Sequence, residues 1–288
     1  YHCHCTTADA SPAAGDQVVI EQKVEGQNLQ YLNFGNSSAK SLTLSFWVRS
    51  NKTGTYCASL FNNDQSKWFS KQYTISSADT WEKKTLTYAG DTSNAFNNDN
   101  GTSLRCRFWL GAGSTYTSGT ITSTWTTESG NEGSLASGQV NLADSTSNEW
   151  YVTGIQLEAG SQASDFEFLP TDVNLARCQR YFNRPINGNS QGICTAGAYN
   201  SSDAFGIYIF PIKMRTTPSI ETTSGSSYYK FIGNNTGTSF DGPLVLSTGT
   251  ESSAQIAFSS FSGALTQGVA GAFRTNNASS SVAFSAEL

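Results

Sequence analysis

Residues 42–50 read LTLSFWVRS, and residues 103–113 read SLRCRFWLGAG. In the first stretch Leu42, Leu44, Phe46 and Val48 alternate with Thr43, Ser45, Trp47 and Arg49. In the second, Leu104, Cys106, Phe108 and Leu110 alternate with Arg105, Arg107 and Trp109. Side chains two apart lie on the same face of an extended strand, so each stretch predicts a strand with one face on a core. Both also set a Trp and an Arg on the opposite face.

The segments QVVIEQKV, LQYLNFG, TGTYCASLFN, KQYTISS, WEKKTLTYAGD and WYVTGIQLEAG read as further strands, separated by Asn/Asp/Ser/Gly clusters that make turns. A long polar segment, 114–147, precedes the last of them. Many short strands with turn signals between them predict a β-sandwich or jelly roll. Only 14% of the residues are charged, and Ser, Thr, Asn and Gly supply the polar surface, which suits tight turns better than helices.

The pattern changes at Pro170, which a central strand excludes. Asp172 stands where it would cap a helix carrying Val173, Leu175, Ala176, Tyr181 and Phe182, stopped by Pro185 and Gly188. Beyond residue 184 the strands are built from Phe, Ile, Val and Ala (AFGIYIFPIKM, YYKFIG, PLVLS, SAQIAFSSF, GVAGAFR, SVAFSAEL), and Pro211 marks an edge strand or a bulge. All six tryptophans lie at or before Trp150, which supports a division. The expected fold is all-β, two jelly-roll-like β-sandwich domains joined by a short helix. The expected spans are an N-terminal arm over 1–16, a jelly roll over 17–170, a connector over 171–184 and a second sandwich over 185–288.

The net charge of -5 argues against a nucleic-acid partner bound through phosphates. No apolar run of about 18 residues and no secretory leader is visible, so membrane insertion is not expected. The chain opens on Tyr1 and its one methionine is Met214, which reads as a processed chain or a piece of a longer one. Six cysteines, Cys3, Cys5, Cys57, Cys106, Cys178 and Cys194, match no compact disulfide framework and are expected as free thiols.

Histidine occurs only as His2 and His4, which leaves no Ser-His-Asp or Cys-His set in the body of the chain. No glycine-rich phosphate loop joins a strand to a helix. Asp165 and Glu167, two apart in SDFEF, are of the residue types that glycosidases pair, but they read better as surface acids beside Arg177 and Arg180. The alternating His2-Cys3-His4-Cys5 does not match a closed zinc site. No catalytic residue, metal or cofactor is expected.

A Trp opposite an aliphatic row needs a cover: a long loop, another subunit or a sugar ring. Sugars present apolar C–H faces to flat aromatic rings and hydroxyls to neighbouring polar groups. Trp47 with Arg49, and Trp109 with Arg107, offer those parts and are the candidate glycan-binding residues. The competing reading folds the 114–147 segment across this face and buries both rings.

LTLSFWVRS, YTISSADTWEKKTLTYAGDT, and YVTGIQLEAGSQASDFEF followed by LARCQRYF together resemble the C-terminal regions of bacteriophage tail-fibre proteins. The resemblance covers residues 17–183 and continues more loosely through FPIKMRTTPSI. It implies a jelly roll similar to carbohydrate-binding modules in a virion component exposed at a fibre tip. It further implies a homotrimer whose partners are other virion proteins and a host cell-surface polysaccharide or lipopolysaccharide. Modules of this fold often hold calcium on an Asp of the last strand. Thr153 stands there in this chain, so the resemblance implies no calcium site. Phage fibre tips also bind iron through His-x-His motifs, which His2-x-His4 matches in spacing only. Two other functions compete: a structural virion protein (head decoration or fibre shaft) without a receptor, and a secreted polysaccharide-active enzyme or its binding module.

Overall fold

The computed structural model describes residues 1–130, 132–234, 236–240, 243–259, 261 and 265–288. These residues form an all-β protein in two compact units, one over Tyr1–Phe168 and one over Leu169–Glu287.

In the first unit the strands are β1 (His2–His4), β2 (Gln17–Glu25), β3 (Leu42–Ser50), β4 (Gly54–Asn62) and β5 (Lys67–Ile75). They continue with β6 (Glu82–Tyr88), β7 (Thr102–Ala112), β8 (Thr126–Thr127) and β9 (Glu149–Ala159), with a one-turn helix α1 (Ser114–Thr117) after β7. Two antiparallel sheets result, a four-stranded one in the order β1-β9-β3-β6 and a five-stranded one in the order β2-β7-β4-β5-β8. Leu44, Phe46 and Val48 of β3 meet Leu104, Phe108 and Leu110 of β7 in one core between the sheets. The rings of Phe46 and Phe108 touch edge-to-face at 5.0 Å. The alternation in LTLSFWVRS and SLRCRFWLGAG is therefore the packing of a sandwich, in which each buried side chain of this size contributes about 1.5–3 kcal/mol.

A second, smaller apolar layer lies on the outer side of the five-stranded sheet. Cys57, Trp68 and Trp109 pack there under Leu135 and Ala136, with Tyr116 and Ile121 alongside. The 114–147 segment thus covers this sheet and Trp109 with it, but not Trp47, so the loop reading, which buried both rings, holds for one of them.

The N-terminal residues depart from the expected arm: His2–His4 adds β1 to the edge of β9, pairing His2 with Tyr151 and His4 with Glu149. Three residues are too few to show a period, and only Cys3 turns toward the core. LQYLNFG is not a strand either. Gln30–Leu32 is a 3-10 turn, and Leu29, Leu32 and Phe34 are buried within a segment where Leu29 and Leu32 stand three apart, a helical spacing rather than an extended one.

The second unit opens with α2 (Thr171–Gln179), in which Asp172 lies in the first turn and Pro170, not Asp172, takes the capping position. The expected helix ends early: Phe182 and Pro185 belong to β10 (Phe182–Asn187), where the register shifts between Asn183 and Ile186 so that Pro185 sits at an irregularity of an edge strand. β11 (Gly192–Ala198), β12 (Asp203–Ile209), β13 (Ser219–Thr222), β14 (Tyr229–Gly233) and β15 (Thr236–Phe240) follow. The last strands are β16 (Val245–Gly249), β17 (Ser253–Ser259), β18 (Ala270–Thr275) and β19 (Ser281–Ser285). Pro211 lies beyond the end of β12 rather than within an edge strand or bulge. A seven-stranded sheet, β15-β14-β18-β11-β12-β17-β16, and a three-stranded one, β10-β19-β13, enclose a core of Phe231, Ile256, Phe273, Val282 and Phe284 among others. Among the described residues no helix is long and apolar enough to cross a membrane.

Candidate functional site

The two Trp/Arg pairs lie in different sheets of the first unit, because β3 belongs to the four-stranded sheet and β7 to the five-stranded one. Their aliphatic rows face each other in the core, so Trp47 with Arg49 and Arg107 with Trp109 occupy opposite outer faces. The four residues form no single site.

Trp109 does not meet solvent. It is wholly buried beneath Leu135 and Ala136, and its indole N–H donates to Ser59 Oγ at 2.8 Å. Arg107 is committed as well: Nε and Nη2 donate to Glu21 Oε2 at 2.9 and 2.6 Å while the guanidinium lies 5.4 Å from the Trp109 ring. A cation paired with the adjacent strand and laid over a buried ring ties β7 to β2. The expectation that Trp109 points into solvent is thereby corrected. The periodicity put it on the outer face correctly, but that face is roofed by the segment that follows β7.

Trp47 has no such roof and is 43% exposed. Beside it on β3, Arg49 lies opposite Tyr151 of β9, with its guanidinium carbon 5.3 Å from the Tyr151 ring. His2 of β1 stacks on Tyr151 at 4.3 Å with the planes 4° apart, and Trp81, just before β6, presents its edge at 6.4 Å. Four separate segments thus bring His2, Trp81 and Arg49 together around Tyr151. Trp81 is 42% exposed, so this aromatic cluster is open to solvent.

The charges on this face are paired across water-exposed contacts. Arg49 Nη2 donates to Asp79 at 3.2 Å, and Arg49 Nε has no hydrogen-bond partner among the described residues. The Tyr151 hydroxyl donates to Glu149, and that bond holds the phenol above its usual range. His2 Nε2 lies 3.8 Å from the same carboxylate. These groups offer both donors and acceptors beside the rings, which is what polyol recognition requires.

Gly154 shapes the other side of Trp47. The β3–β9 register slips between Ser45 and Trp47, and Gly154 sits at this bulge with φ +57°. A side chain there would be strained by the positive φ, although it would meet Trp47 and Phe166 only at ordinary contact distances of 3.4 and 3.8 Å. Phe166, 40% exposed, is carried by the chain that follows β9. That chain is held along the strand: Ser164 N and Oγ donate to Glu158 at 2.9 and 2.7 Å, and Glu167 N donates to Gln156 Oε1 at 2.9 Å. The Gln156 side-chain bond, together with those from Ser164, draws the Glu158 carboxyl below its ordinary value.

Sequence reasoning missed His2, Trp81, Tyr151 and Phe166. Tyr151 was legible in principle, since it alternates with the buried Trp150 and Val152. The others enter through strand register and a returning segment, which leave no local pattern.

No protein-family model matches this chain, and no curated protein does. Among solved structures, "Family 16 Carbohydrate Binding Module-2" aligns at 14% identity and a TM-score of 0.25, over 51% of this chain and 72% of that one. "Crystal structure of PBSX exported protein XepA" aligns at 11% identity and a TM-score of 0.21, over 99% of this chain and 85% of that one. No residue role passes from either to this chain.

Proposed function

We propose that this chain is the receptor-binding region of a virion fibre, and that it attaches without catalysis to a host cell-surface polysaccharide or lipopolysaccharide. The observation that carries the reading is the open face of the four-stranded sheet, where the half-exposed Trp47 shares the outer side of β3 with Arg49, and Tyr151 meets Arg49, His2 and Trp81. Aromatic rings left in water at the centre of an otherwise polar Ser/Thr surface are costly unless a ligand covers them. The tail-fibre resemblance supplies the setting, an extracellular-facing virion component. Of the residues named from sequence, Trp47 and Arg49 belong to this ligand face; Trp109 and Arg107 act in the structure of the opposite face.

Screening the chain on an array of bacterial surface glycans, followed by titration of the best binder, tests the reading. Trp47→Ala and Tyr151→Ala should each weaken binding by ~1–2 kcal/mol, roughly tenfold, with an unchanged melting profile. Undiminished binding by both variants would remove this face from the site. No glycan bound at all would favour a structural virion role instead.

A further inference from the structure

The two sheets of the first unit do not close on each other along one side. Beside the 11 residues of β9 stand only the 3 of β1. Their pairing ends at His2 and Tyr151, and Tyr1 adds one further rung: its ammonium donates to Val152 O at 2.8 Å and its carbonyl accepts from Val152 N at 3.0 Å. Beyond Val152 no strand among the described residues pairs with the side of β9 turned away from β3. Between this edge and β2, the edge strand of the other sheet, an open cleft of about 420 Å³ reaches the core, lined by Ile20, Val24, Leu44, Phe108, Ile155 and Leu157. Ile155 lies on the core side of β9 and yet is 44% exposed.

We propose that this cleft seats an extended strand of the same polypeptide, running along β9 into Tyr1, with every second side chain apolar. Three features select that occupant. The first is backbone. In an extended strand the residues of one face turn their N–H and C=O to one side, and Val152 bonds Tyr1 on that side. Ile155 and Leu157, on the same core face past the bulge at Gly154, turn theirs to the open edge, where a peptide can bond them and an acyl chain cannot. The second is the apolar floor, which suits the alternate side chains of an added strand. The third is direction. β1 is antiparallel to β9, so the ladder that ends at Tyr1 points toward Ala159. A strand joined to Tyr1 continues that ladder without a break, whereas a separate chain would have to end against the Tyr1 ammonium.

The register follows from the same ladder. Cys3 turns toward the core and Tyr1 lines the cleft, while His2 and His4 lie on the outer face. The residues second, fourth and sixth before Tyr1 therefore face the cleft. β9 has seven residues beyond Val152 and the bulge takes one of them, so the sixth residue before Tyr1 reaches Ala159. The three inward positions then fall opposite Ile155, Leu157 and Ala159, and their side chains would take Ile155 out of water. The cleft is separate from the glycan face, which lies on the outer side of the same sheet.

Two extended forms of the full chain test it, each with a hexapeptide of alternating Val and Thr fused directly ahead of Tyr1. The form with Val at the second, fourth and sixth positions before Tyr1 should slow amide exchange at Ile155 and Leu157 roughly tenfold or more and raise the melting temperature read by tryptophan fluorescence. The form with Val and Thr interchanged should do neither, because a one-residue slip turns every apolar side chain outward. If the first form aggregates, Ala at the three inward positions keeps the register and should protect the same amides. Equal behaviour of the two forms, or protection in neither, overturns the proposal. So does equal protection by the first hexapeptide added free at about 100 µM, far below the millimolar effective concentration of a fused strand, which would assign the cleft to a strand of another protein.

Discussion

Replacing Trp109 by Ala measures how firmly the 114–147 segment is seated on the five-stranded sheet. Trp109 is fully buried between the sheet and Leu135, Ala136 and Tyr116, so its removal leaves a void the size of an indole. A buried Trp→Ala change typically costs about 3–5 kcal/mol. The lost indole bond to Ser59 adds little, because Ser59 Oγ keeps its 2.6 Å partner in Ser70. An effect of ~4 kcal/mol should lower the melting temperature by roughly 8–16 °C in a unit of this size. Trp109→Phe keeps most of the volume and should cost only about 1–2 kcal/mol. Tryptophan fluorescence is the natural assay, since all six tryptophans lie in the first unit and the signal ignores the second. The exposed Trp47→Ala serves as the comparison and should move the midpoint by no more than about 2 °C. A Trp109→Ala shift equally small would show that the segment does not cover this face, and Trp109 would return as a ligand candidate.

Acid should loosen the first unit. The Asp144 carboxyl is held below 3.8 chiefly by its bond from Lys52, and the Glu82 carboxyl below 4.5 by Lys84 and the N–H groups of Ser77 and Ser76. A depressed carboxylate stabilises the fold above its unfolded pKa, and that share is lost as pH falls through the folded value. Melting temperatures by tryptophan fluorescence should therefore be level from pH 7 to 5 and drop below about 4, less so in Glu82→Gln. An equal drop in that variant would assign the acid sensitivity to other groups. Thiol labelling should follow burial: Cys57 and Cys106 are raised to about 12 by desolvation, whereas Cys178 is exposed. Peptide mapping after brief alkylation at pH 8 should find Cys178 modified and Cys57 and Cys106 intact until denaturant is added. Early modification of Cys57 would mean that the roof over it opens in the native state.

Strands with one wet face were legible because the alternation is written locally, as Leu42 to Val48 and Leu104 to Leu110 show. The same logic failed at Leu29 and Leu32, where apolar residues three apart form a turn. It also could not separate Trp47 from Trp109. Their neighbourhoods in sequence are nearly the same, and the difference is a cover that reaches Trp109 from residues 116–136. A hint was present: Tyr116, Ile121, Leu135 and Ala136 give that polar segment enough apolar side chains to line a roof. The cluster of His2, Trp81 and Arg49 about Tyr151 depends on which strands neighbour β9 and in what register, and no single stretch of sequence carries that.

The position of β9 has a consequence for synthesis. It pairs with β1 on one side and β3 on the other, so the four-stranded sheet has no centre until residue 159 is made. At ~5–20 residues per second the ribosome delivers β9 roughly 7–30 s after His2. Through that interval β3 and β6 are at most a two-stranded ribbon, and Leu42, Leu44, Phe46 and Val48 lack the neighbouring strand that completes their sheet. A nascent chain in this state is open to association with its siblings on the same message. The last strand of the unit to emerge is thus the one that ends its exposure, and a chain truncated just before Glu149 would be a sticky fragment rather than a smaller domain.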